Sequence, residues 1–158
     1  MSETSLCDKK QLAIPQMKQF ELYFDGYWRE ENKASVPKIS GIYLIYTCKY
    51  NKDAGTVSLS RNIYIGKAKN LNSRIADHNE QEFKDFIAQG ETLCYACAPV
   101  KVSDLDLVEN ALIFAEKPVA NTMLKDSYSY QDAGFSLEGA CDKLEYTSFN
   151  ITTPKHND

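Results

Sequence analysis

The chain has no excess of positive charge: 18 Lys and Arg stand against 22 Asp and Glu, for a net charge of −4. A protein that coats nucleic acid through bulk electrostatics is thereby excluded, because such a footprint is basic. Regular cysteine spacing is also missing. Cys7, Cys48, Cys94, Cys97 and Cys141 are odd in number and do not read as a disulfide framework. The N-terminal segment offers only Leu12, Ala13 and Ile14 before Pro15, well short of a secretory apolar stretch or of the ~20 residues that cross a membrane. The expectation is a cytoplasmic protein with reduced thiols and no membrane partner. There is no internal repeat or low-complexity tract, and 158 residues leave room for one domain at the usual ~100–200 residues each. What the chain does have is a 43% hydrophobic and 11% aromatic composition, enough to bury one core.

Charge is unevenly spread. Between Lys38 and His78 there are seven basic and two acidic side chains, a local excess of five, while the remainder stands at −9. In that basic stretch the run Gly41–Cys48 is β-branched and aromatic, and so is the tract from Thr56 through Ile65. Asn51-Lys52-Asp53-Ala54-Gly55 supplies turn chemistry between them, predicting an antiparallel hairpin. Gly66 is expected to end the second strand and a helix to run from Lys67 to Asn79. A short helical piece with Phe83, Phe86 and Ile87 follows, then a strand over Leu93–Val100. A second helix is expected from Ser103, with Asp106 three residues on as an acidic capping box, stopped by Lys117-Pro118. Strand-like character returns around Lys143–Thr152. The order describes an α/β (α+β) chain, a small sheet with helices against it. Residues 1–36 read as an appendage with a helical or irregular start and a turn at Asp25-Gly26. Its aromatics, Trp28 among them, could cover a sheet edge, bind a partner or stack on bases, edge covering being the default.

At about 100° per residue, Lys67, Asn70, Arg74 and His78 share an arc of about 80°, bordering an apolar arc of Ala68, Leu71 and Ile75. A donor-rich stripe after a strand-to-helix turn suits a phosphate; the solvated face of an amphipathic helix is the alternative. On the second helix Glu109 falls between Leu105 and Leu112 on one side and Ile113 on the other. A carboxylate within an apolar face must be paired, protonated or metal-bound. An ion pair with Lys or Arg and a magnesium ion both satisfy that need; magnesium takes only one or two carboxylates and completes its shell with water and phosphate. Glu116, on the same arc, is near enough to the helix end to reach water. Cys94 and Cys97 invite a zinc reading, but an offset of three in a strand puts the sulfurs on opposite faces and no second ligand pair has zinc spacing. His156 is expected in an exposed tail.

Gly41-Ile42-Tyr43, followed at hairpin distance by Tyr64-Ile65-Gly66, resembles the signature of the GIY-YIG nuclease superfamily. Lys67-Ala68, Asn70-Leu71, Arg74 and His78 are similar to the helix after the second motif, and Glu109, Pro118 and Asn121 resemble the metal-binding Glu and later Asn. The resemblance spans Ser40 to Asn121 and implies a small three-stranded antiparallel sheet flanked by helices, in a nuclease domain over 37–125 with a C-terminal extension and flexible tail over 126–158. It also implies divalent-metal-dependent hydrolysis of DNA phosphodiesters with one Mg²⁺ or Mn²⁺ ion. On that comparison Tyr43 is the general base or the orienter of the attacking water, helped by the local positive charge, with Tyr64 and Lys67, the next cation after it in sequence, also in the catalytic set and His78 as proton acceptor or substitute base. Arg74, with Lys67 and Asn70, holds the scissile phosphate, Glu109 binds the metal, and Asn121 tethers the backbone near the site.

Members of the superfamily include subunits of excision repair, homing and restriction endonucleases, and junction cleavers. Which of these roles applies is open, as is RNA as substrate. A catalytically inactive module that binds nucleic acid or a protein partner is the competing reading, favoured slightly by the net charge; a protein partner or a dimer is open in either case. Core packing of Tyr43 and Tyr64 and a turn bond for Asn121 are the plain structural alternatives.

Overall fold

The computed structural model describes residues 5–8 and 17–154; His156 lies outside them. Strands β1 (Ser5–Asp8), β2 (Lys18–Arg29), β3 (Gly41–Asn51) and β4 (Thr56–Ala68) precede helix α1 (Leu71–Asp77), and β5 (Thr92–Pro99), helix α2 (Leu105–Glu116), β6 (Ala133–Gly139) and β7 (Ser148–Thr152) follow. The sheet has seven strands in the order β1-β7-β6-β2-β5-β3-β4, so the expectation of three strands is corrected. The antiparallel trio β5-β3-β4 is present, but β2 extends it. Its second half pairs antiparallel with β5, and its first half pairs parallel with β6.

That strand corrects the expected irregular start and turn at Asp25-Gly26. Phe20, Leu22 and Phe24 are buried while Gln19, Glu21 and Tyr23 are exposed, the period-two alternation of a strand with one covered face. Asp25 and Gly26 pair with Cys97 and Ala96, so ladder bonds override local turn chemistry. Trp28 packs on the core beside β5, and the segment does occupy that strand's edge.

Strand β3 is buried from Gly41 to Cys48, as expected of a strand covered on both faces. Ile42, Leu44, Tyr46 and Cys48 join α2 in one core cluster, whereas Tyr43 and Ile45 join Leu71 and Ile75 of α1 in the other. Cys94 and Cys97 divide between the same two clusters, in accord with their expected opposite faces.

Helix α1 is shorter than the expected Lys67–Asn79. Gly66 does not end β4; the ladder continues through Gly66, opposite Tyr43, to Ala68, opposite Gly41. The reason for glycine there is proximity, since an added Cβ would lie 2.4 Å from the Tyr43 ring. The helix then begins after Asn70, whose side-chain oxygen accepts from Ser73 N at 3.3 Å, and His78 is already extended at φ −80° and ψ 150°. Phe83, Phe86 and Ile87 surround only a 3-10 turn, Lys84–Phe86. Nor does the Ser103 capping box form. A 3-10 turn, Val102–Asp104, precedes α2, and the Asp104 carboxylate bonds Lys18 Nζ at 2.6 Å. Lys117, left-handed at φ 47°, closes α2 as expected of Lys117-Pro118.

Candidate active site

Tyr43 sits mid-sheet with its ring over Gly66, and its hydroxyl lies 2.7 Å from His78 Nε2. His78 Nδ1 lies 2.8 Å from Glu82 Oε1. Burial pushes the Tyr43 phenol well above its ordinary range. It also pushes the His78 imidazole below its ordinary value, against the opposing pull of Glu82. His78 is therefore neutral near pH 7. Because a neutral imidazole donates through one nitrogen and accepts through the other, the carboxylate assigns the proton to Nδ1. Nε2 is left to accept from Tyr43. Tyr64 completes an aromatic cluster, its ring 5.5 Å from His78 and 5.6 Å from Phe83.

The expected stripe Lys67-Asn70-Arg74-His78 is only partly realised. Lys67 lies on β4, not on the helix. Asn70 uses its side-chain oxygen as the α1 cap. Arg74 is exposed on α1 and raised in pKa chiefly by its attraction to Tyr43, with Tyr64 and Glu82 adding to it.

The Glu109 side chain on α2 is only 14% exposed, so the anomaly on the α2 face is real. Burial raises its carboxyl, with Lys67 and, more weakly, Arg74 opposing. The expected alternative of an ion pair with a Lys or Arg is met by Lys67, whose Nζ stands 3.8 Å from Glu109 Oε1 while also bonding Asp106. The rise in the Tyr43 phenol, chiefly from burial, is opposed by Arg74 and added to by Glu109. Glu109, Lys67 and Tyr64 line a cavity of about 420 Å³.

Asn121 is buried and spans Ile65 of β4, accepting from Ile65 N at 3.0 Å and donating to Ile65 O at 2.9 Å. Its amide thus pairs like one more residue of a ladder. Glu116 does not turn to water; it accepts from Glu145 N and Tyr146 N at 2.9 and 2.8 Å. Sequence reasoning missed Glu82, whose only signal was its place four residues after His78. It also missed Asn110, a second polar residue in the α2 apolar pattern.

Among the described residues no cluster of three His, Cys, Asp or Glu side chains could enclose a metal. A largely covered carboxylate, Glu109, opening on a cavity with room for several waters nevertheless fits an ion that keeps most of its waters. No described helix is long and apolar enough to cross a membrane.

Residues 39–122 match the model of the GIY-YIG catalytic domain. The chain belongs to the GIY-YIG family. Its similarity extends to UvrABC system protein C of Treponema denticola, 35% identical over 100 residues, 61% of this chain and 14% of that protein. The corresponding protein of Fusobacterium nucleatum is 31% identical over 67% of this chain and 17% of its own length. That of Hydrogenovibrio crunogenus is 31% identical over 71% and 17%. The GIY-YIG chain thus spans less than a fifth of the curated relatives it matches. No solved structure matches it.

Proposed function

We propose that this GIY-YIG chain is a divalent-metal-dependent endonuclease that hydrolyses DNA phosphodiester bonds. The observation that carries the reading is the Tyr43–His78–Glu82 hydrogen-bonded chain beside Arg74 and the buried Glu109. Similarity to UvrABC system protein C supports DNA as the polymer.

His78, neutral at Nε2, takes the Tyr43 proton as the phenol removes one from an attacking water, and Glu82 steadies the imidazolium that results. Arg74 neutralises charge on the scissile phosphate, a contribution of ~10²–10³ in rate at preorganised sites. Lys67 supplies a second cation at the phosphate. Tyr64 shields the Tyr43–His78 bond from solvent. Asn121 keeps β4, and with it Tyr64, in register with α2. Glu109 would hold one Mg²⁺ or Mn²⁺ ion, which supplies charge stabilisation of the phosphate and leaving oxygen when bound.

Supercoiled plasmid incubated with the chain in Mg²⁺ or Mn²⁺ is nicked, and the Glu109→Ala variant leaves it intact. No nicking of supercoiled, branched or single-stranded DNA by the unaltered chain would remove the reading. One observation favours the second reading, an inactive binding module: Lys67 is already compensated by Asp106.

A further inference from the structure

The cavity at Glu109 is lined by two kinds of side chain. Lys67, Asp106 and Glu109 are charged, whereas Met123, Leu124 and Tyr130 are apolar or aromatic. Those three are also large hydrophobic side chains left 71%, 39% and 38% exposed. Single exposed apolar residues need no explanation; several converging on one cavity mark a binding surface. They lie beyond residue 122, where the match to the family model ends.

The wall is held firmly. Buried Asn110 donates to Leu124 O at 3.2 Å and Ser127 O at 2.9 Å, and accepts from Ser129 N at 3.2 Å. Lys117 Nζ bonds Lys125 O. Leu124 itself is left-handed at φ 67°, a conformation that costs a non-glycine residue energy. The loop is thus fixed with Met123 and Leu124 at the rim rather than in the core. Tyr130 and Lys67 line the same cavity, so an aromatic ring and a cation face one space. A cavity of about 420 Å³ falls in the ordinary range for a small organic guest.

We propose that this cavity receives one unstacked nucleobase of a DNA strand, next to the phosphate held by Lys67 and Arg74, with Tyr130 as the stacking surface and Met123 and Leu124 as the rim. The proposal rests on the nuclease reading and names its substrate class: DNA with an unpaired base beside the bond to be cut. Two physical arguments select a base. The apolar wall is continuous with the cationic side of the cavity, as a nucleotide's base is continuous with its phosphate. And Lys67 is already bonded to Asp106, which lowers the affinity drawn from backbone charge at this cavity, so stacking, which is sequence-tolerant, supplies more of it. A base inside a duplex is paired and stacked and could enter only after extrusion.

The test uses the full chain and two labelled duplexes of one sequence, one fully paired and one carrying a bulged 2-aminopurine, with binding read by anisotropy in Ca²⁺ and nicking in Mg²⁺. The bulged duplex is expected to bind on the order of 10-fold more tightly, within the range of one base–aromatic stack, with its 2-aminopurine fluorescence quenched. Tyr130→Ala removes the difference and Tyr130→Phe keeps it. Met123→Ser, an exposed change that leaves the melting temperature in place, reduces it. Equal affinity for the two duplexes, or a preference that survives Tyr130→Ala, overturns the proposal. A Tyr130-dependent preference without nicking sustains the base site and removes the nuclease reading; nicking without that preference does the reverse.

Discussion

Tyr43 and His78 are 35 residues apart in sequence and 2.7 Å apart at Oη and Nε2. The bond forms because β4 runs straight through Gly66, leaving room for the Tyr43 ring. It also needs α1 to stop at Asp77, so that the extended His78 turns its imidazole inward. Tyr43→Phe keeps the ring and deletes the bond to His78. Cleavage falls by ~10²-fold or more, as for loss of a general acid–base group, while stability drops by only about 1–3 kcal/mol, the cost of leaving a buried acceptor unpaired. Single-turnover nicking and urea melts separate the two.

His78 also sets a pH dependence. Its folded pKa lies below the ordinary 6.5 because of burial, so as pH falls the unfolded chain takes up the proton first. Stability from keeping the imidazole neutral is full above about 6.5 and is lost as pH falls toward the folded value. Urea melts at about pH 5 and pH 7.5 show the decline, and His78→Gln reduces it. Glu82→Gln removes the charge that raises His78, moving the acidic limb of the pH–rate profile to lower pH.

Glu109 has the opposite sign. Burial raises its carboxyl above the ordinary range, so ionising it opposes folding, and that cost appears as pH rises through the folded pKa. Glu109→Gln is therefore expected to melt no lower than the unaltered chain at neutral pH, while metal-dependent nicking falls by ~10²-fold or more. A melting temperature that drops steeply would mark Glu109 as a structural partner of Lys67.

Gly66→Ala places a Cβ 2.4 Å from the Tyr43 ring. Overpacking of this kind costs ~1–3 kcal/mol, and here the displaced group is the phenol itself. Thermal melts and nicking assays are expected to decline together, unlike the Tyr43→Phe pair of results.

Asn121→Ala cuts both side-chain bonds to Ile65 and exposes neither backbone group to water. A loss of about 2–4 kcal/mol follows from two unsatisfied buried groups. Residual nicking per folded molecule, measured well below the melting temperature, distinguishes a tether from a group that touches DNA.

The sequence by itself determined the β3–β4 hairpin, the β5 strand, the existence of α2 and the oddity of Glu109, because alternation, turn residues and an apolar face are properties of neighbours along the chain. It also led to the family, through residues whose order alone carries information. Only the tertiary structure decided the seven-stranded sheet, since β2 is a strand by virtue of pairing with β5 and β6. Lys67 went to β4 for the same reason: ladder bonds to β3 outweighed a helical spacing read along one segment. Glu82 behind His78 and the 123–130 wall beside Lys67 depend on side chains converging from separate elements. Local pattern holds no record of such contacts; packing and hydrogen-bond satisfaction in the folded chain create them.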